Sequence, residues 1–207
     1  MKVHNLLIGF TGSVASVLSE KVCKSFLSKY NIKVVLTEAA KQFVDIEKIC
    51  KLGCEVLTDK NEFYLNINDS RELQTNLELV KNVERKIYHK DDPILHIKLR
   101  EWADCFLIAP CSAHTLAKIA NGYCDNLLTS VARAWDFKSK KKIIIAPAAN
   151  CKMWEHPITQ EHMKKIGSWG IKFVYPIRKK LACGETGIGA MADIKDIVFT
   201  IDFLNSL

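Results

Sequence analysis

The sequence predicts a three-layer α/β/α fold built on a mainly parallel β-sheet, and two observations carry this prediction. Short, unbroken apolar runs recur along the 207-residue chain, as strands buried on both faces require. Segments with helical periodicity separate these runs, and such alternation is typical of βαβ units. The length suits one well-buried core, so we expect a single domain over residues 1–207.

The first part of the chain contains three strand candidates. Residues 4–10 are the first, and a helix is expected from about residue 13 to residue 29. Residues 32–37 are the second, with a helix after them, and residues 54–58 are the third. All three are short apolar runs of the length that buried strands usually have.

The second part contains the strongest strand candidates. Residues 104–110 and 142–147 are unbroken apolar runs that each end in Ala-Pro, and residues 171–176 form the last candidate. Helices are expected between and after these strands, at residues 113–120, 124–135, 159–168 and 194–203. This order places a helix in most of the connections that a parallel sheet requires.

A polar segment at about residues 59–92 interrupts this alternation. It is rich in Asn, Asp and Lys, and it is too long for an ordinary connection and too polar for a core. We therefore predict a surface insertion that is partly helical around residues 73–86.

Composition excludes several classes of protein. The net charge is +7, but the basic residues are spread out and not interleaved with aromatic residues, which favours small anionic ligands over nucleic acid. No stretch approaches the roughly 20 apolar residues of a membrane span. The N-terminus lacks a signal-peptide pattern, so a cytoplasmic protein is expected. The eight cysteines contain no C-x-x-C pair, so neither a disulfide framework nor a metal site is expected.

The ends of the predicted strands carry the residues of greatest interest, because ligands of open parallel sheets lie beyond the carboxyl ends of the strands. After the first strand, Gly12 permits a tight turn, and Ser13 can cap a helix whose N-terminus would attract a phosphate. Ser13 is equally well explained as a simple helix cap. After the strand at residues 104–110, small residues would let a flat ring approach closely, with Ser112 and Thr115 near its oxygens. An ordinary strand–helix junction would also explain that segment.

Five motifs, in order along nearly the whole chain, resemble those of phosphopantothenoylcysteine decarboxylases, which are homo-oligomeric flavin-containing cysteine decarboxylases. The motifs are TGSVA (11–15), PILHI (93–97), APCSAHTLAKIANGYCDNLL (109–128), PAANCKMW (147–154) and LACGETGIGAMA (181–192). The resemblance implies a Rossmann-like (flavodoxin-like) fold, FMN as cofactor, and a homotrimer with sites at the subunit interfaces.

The resemblance also implies a reaction. FMN would oxidise the cysteine moiety of 4′-phospho-N-pantothenoyl-L-cysteine to a thioaldehyde, whose C=S group is the electron sink for loss of CO2. The ene-thiol would then be reduced back to 4′-phosphopantetheine, a step of coenzyme A biosynthesis, with the protein supplying orientation and proton handling.

The functional residues of the family fall on identifiable positions of this chain. His96 matches the active-site base, Asn150 the amide that binds the substrate carboxylate, and Cys183 the proton donor, on a Gly-rich segment expected to be a mobile flap. The positions that match flavin-binding residues are Gly12, Ser13, Val14, Thr37, Ala39, Ser112, Ala113, His114, Thr115 and Ala148. The positions that match the substrate-binding residues are Asn150, Met153, Lys180, Ala182 and Met191.

Three positions depart from the family pattern. Ala149 stands where the family usually has Met, His114 where it commonly has Asn, and Glu101 where a second Arg would follow Arg100. The first change is expected to loosen packing beneath the neighbouring Asn150, and the others are expected to alter contacts with the flavin or with substrate anions.

Two alternatives to the decarboxylase remain open. One is a regulatory relative that binds FMN and inhibits a protein phosphatase. The other is a peptide cysteine decarboxylase or flavin prenyltransferase of the same fold. The joint presence of His96, Asn150 and Cys183 favours the pantothenoyl-cysteine enzyme.

Overall fold

A six-stranded parallel sheet forms the centre of the protein. The computed structural model describes residues 4–64, 93–180 and 184–205. The strands of the sheet are β1 (His4–Phe10), β2 (Tyr30–Leu36), β3 (Glu55–Thr58), β4 (Cys105–Cys111), β5 (Lys142–Pro147) and β6 (Lys172–Phe173). They lie in the order β3-β2-β1-β4-β5-β6, and every pair of neighbours is parallel. The predicted three-layer α/β/α, Rossmann-like class is confirmed.

Helices cover both faces of the sheet. Two 3-10 helices, Val14–Leu18 and Glu38–Gln42, follow β1 and β2 directly. The α-helices are α1 (Ser19–Phe26), α2 (Ile46–Lys51), α3 (Asp59–Tyr64), α4 (Leu95–Trp102), α5 (Ala113–Asn121), α6 (Leu127–Arg133), α7 (Cys151–Glu155), α8 (Pro157–Gly167) and α9 (Ile194–Asn205).

Successive residues of each strand contribute to two separate cores, because side chains alternate between the faces of a sheet. In β1, Leu6 and Ile8 belong to the core on one face, where Ile197 of α9 also packs. Leu7 belongs to the core on the other face, with Leu128 of α6. Burial on both faces explains why the strands of this sheet read as continuous apolar runs.

Several boundaries differ from those predicted. The expected helix at residues 13–29 begins as a 3-10 helix before it becomes α1. The last strand is only two residues long, since the chain turns away after Val174 N donates to Ile145 O at 2.9 Å. Helices α4 and α7 were not predicted, because each is a short segment beside a motif that was interpreted for its chemistry instead.

The polar segment that follows β3 is only partly described. Residues 65–92, including the helix predicted around residues 73–86, lie outside the described residues. The first residues of the segment form α3, and the surface insertion as a whole stays a prediction. The side chain of Glu62 is only 7% exposed, because it is enclosed beside His96 of α4.

A second, two-stranded sheet follows the parallel one. Strand β7 (Ile177–Lys180) pairs antiparallel with β8 (Thr186–Ala190). The Gly-rich segment predicted as a flap therefore forms one arm of a hairpin, and its mobility stays a prediction. The hairpin packs against α7, at the carboxyl end of β5.

Candidate active site

Strands β1 and β4 are neighbours, and the chain leaves them toward opposite edges of the sheet. This reversal of strand order is where doubly wound sheets bind ligands. Thr11, fully buried, joins the two strand ends: its hydroxyl donates to Pro110 O at 2.8 Å and accepts from Ser112 N at 2.8 Å. Thr11 belongs to the TGSVA motif, but no role was predicted for it from the sequence.

The loops after β1 and β2 touch at Gly12. A Cβ at this position would lie 2.6 Å from the Cβ of Ala39, so glycine is required by close approach of the two loops. Ser13 Oγ accepts from Ala15 N at 3.4 Å and caps the 3-10 helix, while Val14 beside it is half exposed. Four predicted flavin-binding positions are thus brought together at this edge of the sheet.

Thr37, at the end of β2, holds a buried polar atom that fits a ligand. The residue is 7% exposed, and its hydroxyl has no hydrogen-bond partner within the part of the chain that the structure describes. A buried hydroxyl without a partner costs free energy. A bound group with polar oxygens, such as the ribityl phosphate of FMN, would supply the partner, so the residues present fit that cofactor.

The hydroxyls that follow β4 already have partners. Ser112 Oγ caps α5 by accepting from Thr115 N at 3.2 Å, and it also donates to Thr115 Oγ1 at 3.2 Å. Both residues are buried, whereas Ala113 is half-buried and His114 is exposed. The cap accounts for Ser112 and Thr115 structurally, and contact of these four residues with a flavin stays a prediction.

Asn150 follows β5 and is held in a defined orientation. Its Oδ1 accepts from Lys152 N at 2.8 Å and caps α7. Because Oδ1 is engaged in this way, Nδ2 lies toward the hairpin, where it donates to Glu185 Oε2 at 3.4 Å. The amide nitrogen is thus directed at a carboxylate oxygen. Ala148, two residues earlier, is 4% exposed at the end of the strand.

The hairpin rests directly on this segment through its glycines. Ala149 N donates to Gly189 O at 2.9 Å, and a Cβ at Gly189 would lie 2.2 Å from Ala149 O. A Cβ at Gly187 would lie 2.8 Å from the Cβ of Cys151. The Cys151 thiol donates to Glu185 Oε2 at 3.0 Å, and this hydrogen bond raises the pKa of the thiol above its usual value.

The predicted substrate-binding residues are spread around the hairpin. Lys180 is exposed at the end of β7, and Met153 on α7 is 51% exposed. Met191 is 7% exposed and packs in the core beneath α9. Ala182 lies outside the described residues, as does Cys183, the predicted proton donor.

His96 lies in the first turn of α4 and is paired with Glu62. Because α3 directly follows the carboxyl end of β3 and His96 contacts α3, the first turn of α4 lies at the carboxyl edge of the sheet. The His96 backbone N–H donates to Glu62 Oε2 at 2.9 Å, and ring Nδ1 contacts Glu62 Oε1. The His96 side chain is 26% exposed and that of Glu62 is 7% exposed.

Asp59 holds α3 in position from its other end. Its Oδ1 accepts from Leu127 N, the first residue of α6, at 2.8 Å. Partial burial raises the pKa of Asp59, and the hydrogen bond from Leu127 opposes this effect. Sequence reasoning missed Asp59, Glu62 and Glu185. The signal available for Asp59 and Glu62 was their spacing of three residues directly after a strand, which the polar character of the segment concealed.

Within the described residues, no group of three or more His, Cys, Asp or Glu side chains could hold a metal ion. Of the helices that the structure describes, none has both the length and the apolar character needed to cross a membrane.

Comparison with known proteins agrees with this geometry. Residues 1–206 match the model of the Flavoprotein family. The chain belongs to this family. A putative phosphopantothenoylcysteine decarboxylase of Dictyostelium discoideum is 41% identical to this flavoprotein over 206 residues, which cover 97% of this chain and 93% of the relative.

Two solved structures are similar to this flavoprotein over its whole length. One is a Cys-to-Ser mutant of PPC decarboxylase complexed with pantothenoylaminoethenethiol, with a TM-score of 0.85, 34% identity and complete coverage of both chains. The other is the FMN binding protein AtHal3, with a TM-score of 0.82, 35% identity, and coverage of 100% of this chain and 99% of that one.

Proposed function

We propose that this flavoprotein is an FMN-dependent decarboxylase that converts 4′-phospho-N-pantothenoyl-L-cysteine to 4′-phosphopantetheine in coenzyme A biosynthesis. The observation that carries the proposal is the similarity over the full chain to a PPC decarboxylase complexed with pantothenoylaminoethenethiol. The orientation of Asn150 supports it, because the amide nitrogen is directed at a carboxylate oxygen.

FMN would lie across the carboxyl ends of β1, β2, β4 and β5. Gly12, Ser13 and Val14 would receive its phosphate, and the Thr37 hydroxyl would gain the partner that it lacks among the described residues. Ala39, the Ser112–Thr115 segment with His114, and buried Ala148 would line the remainder. The chemistry that FMN supplies when bound is the reversible acceptance of two electrons from the cysteine moiety of the substrate.

Asn150 would bind the carboxylate that leaves as CO2. Its N–H2 group donates a hydrogen bond but carries no charge, so it can orient the carboxylate without an ion pair that would hold the anion in place. The cap of α7, with Lys152 N donating to Oδ1 at 2.8 Å, fixes which end of the amide faces the substrate.

His96 and Cys183 would handle protons on either side of the decarboxylation. His96 would accept a proton from the cysteine moiety, since a neutral imidazole is a competent base at neutral pH. Cys183 would return a proton to the ene-thiol. Met153, Lys180, Ala182 and Met191 would border the substrate, with Lys180 as the group suited to its anionic end.

The assembly proposed for this enzyme is a cytoplasmic homotrimer with each site between two subunits. The family resemblance supports this assembly. Light scattering coupled to gel filtration should give about three times the 23.4 kDa of one chain. A monomer with full turnover would rule out shared sites.

The test of the activity is release of CO2 from substrate labelled at the cysteine carboxyl. We expect the purified protein to be yellow, to contain FMN and to release CO2. We expect Asn150→Asp to reduce the release by 10²-fold or more while FMN stays bound, because a carboxylate would repel the substrate carboxylate. A yellow wild-type protein that leaves the substrate untouched would contradict the proposal and favour the phosphatase-regulating alternative, which an inhibition assay then tests.

A further inference from the structure

Helix α4 begins without a cap of its own. The residue at its N-cap position, Ile94, has no side chain that can accept a hydrogen bond, and the first turn contains no acidic residue. The first N–H groups of a helix have no partners inside the helix and need acceptors from elsewhere. For His96, the acceptor comes from α3: its backbone N–H donates to Glu62 Oε2 at 2.9 Å.

The second oxygen of the same carboxylate contacts the ring. Glu62 Oε1 lies in hydrogen-bond contact with His96 Nδ1. An ionised carboxylate only accepts hydrogen bonds, so Nδ1 must carry the proton that is shared with it. In a neutral imidazole one nitrogen is protonated and the other is an acceptor. The contact therefore leaves Nε2 with a lone pair.

We propose that Glu62 is a positioning residue that holds His96 in the tautomer with its proton on Nδ1, so that Nε2 is the atom that accepts a proton in the reaction. The role of Nε2 as base rests on the proposed decarboxylase function, whereas the tautomer does not. The carboxylate would also stabilise the positive ring that forms when Nε2 takes up a proton.

The position of Glu62 does not depend on His96 alone. Helix α3 is anchored one turn earlier by Asp59 Oδ1, which accepts from Leu127 N at 2.8 Å. At the start of α3, Asn61 Oδ1 accepts a hydrogen bond from the backbone N–H of Thr58, the last residue of β3, at 2.7 Å. Because α3 is held at α6 and at β3, the carboxylate of Glu62 is presented to His96 from a fixed support, and its 7% exposure keeps competing water away.

The substitution Glu62→Gln tests the proposal sharply. The backbone N–H of His96 can only donate, so the amide oxygen of Gln must face it. The amide N–H2 then faces Nδ1 and can only donate, so Nδ1 must become the acceptor and the proton must move to Nε2. We expect turnover to fall by about 10²- to 10⁴-fold, the usual contribution of a correctly protonated general base, with little change in KM and in bound FMN.

The decisive measurement is the ¹⁵N spectrum of the ring nitrogens in protein labelled at histidine. The His96 signals are assigned by their loss in His96→Asn. We expect the Nδ1-protonated tautomer in the wild type and the Nε2-protonated tautomer in Glu62→Gln. Asp59→Asn is the matched control, because it removes the other acidic charge of α3, which does not contact His96, and keeps an Oδ1 that can accept from Leu127 N. It should keep the wild-type tautomer.

A wild-type ring protonated on Nε2 would overturn the proposal, and this measurement does not depend on the folding of any variant. A well-folded Glu62→Gln protein with the wild-type tautomer and wild-type turnover would also overturn it. If the expected tautomers are observed but the wild-type protein does not release CO2, the positioning role stands and the proposed function fails.

Discussion

Substitution of Gly189 by alanine should separate the β7–β8 hairpin from the segment that carries Asn150. Gly189 O accepts from Ala149 N at 2.9 Å, and this hydrogen bond seats β8 beside the carboxyl end of β5. An alanine Cβ at residue 189 would lie 2.2 Å from Ala149 O. The Cβ is attached directly to the backbone, and Ala149 O is a backbone atom. No flexible side chain can therefore move aside to relieve this clash.

The size of the effect follows from these distances. A carbon and a carbonyl oxygen approach no closer than about 3.3 Å even in weak hydrogen bonds, so the hairpin or the Ala149 segment must move by about 1 Å. Loss of the hydrogen bond costs about 1 kcal/mol, which lowers the melting temperature of a chain of this size by about 2–4 °C. A displacement of about 1 Å next to Asn150 should lower turnover by about 10²-fold.

Thermal unfolding and CO2 release, measured on the same preparation, check this prediction. The matched control is Ile188→Ala, the neighbouring residue of β8, whose side chain is 38% exposed. Successive side chains of a strand lie on opposite faces, so Ile188 does not share the face on which residue 189 meets Ala149. The control should keep nearly wild-type turnover. If Gly189→Ala melts and turns over like the wild type, the hairpin does not rest on the Asn150 segment in the way inferred here.

Two further predictions concern the cofactor edge and pH. Gly12→Ala would bring two Cβ atoms to 2.6 Å at Ala39. The loops must then separate, and flavin affinity measured by fluorescence titration should fall by about 10- to 100-fold, as about 1–3 kcal/mol of overpacking implies. Unchanged affinity would place the flavin elsewhere. Burial raises the pKa of Asp59, so its ionisation costs stability as pH rises through that pKa. Asp59→Asn should therefore gain stability over the wild type at neutral pH and lose that gain in acid. Denaturant unfolding at both pH values checks this, and an equal gain at both would contradict it.

Much of the sheet could be predicted from the sequence, because its strands are buried on both faces. The run at β5 is apolar at every position except its first, and no surface helix has that pattern. The short helices α4 and α7 could not be predicted in this way. Their few residues show too little periodicity, and α4 takes its acceptor for His96 from Glu62, 34 residues earlier in the chain.

The residues of the candidate site likewise fall into those to which the sequence pointed and those that only the structure placed. The pattern at the strand ends pointed to Gly12 and Ser13, and the family resemblance pointed to Asn150; each follows a strand at the carboxyl edge of the sheet, and their contact with a ligand stays a prediction. The hydroxyls of Ser112 and Thr115 were expected near the oxygens of a ligand, and this contact stays a prediction; in the structure the Ser112 hydroxyl caps α5 by accepting from Thr115 N. The capping role of Ser112 depends on helix geometry, which the sequence only suggests.

The sequence by itself determined the layers of this protein and the edge of the sheet where a ligand would bind, because continuous apolar runs and the small residues after them are local properties. Only the tertiary structure decided that Glu62 faces His96 and that Gly189 lies against Ala149. Such contacts join segments distant in the chain. They arise from the order of the strands and from the way α3 and the hairpin pack at the sheet edge, which no local pattern of residues encodes.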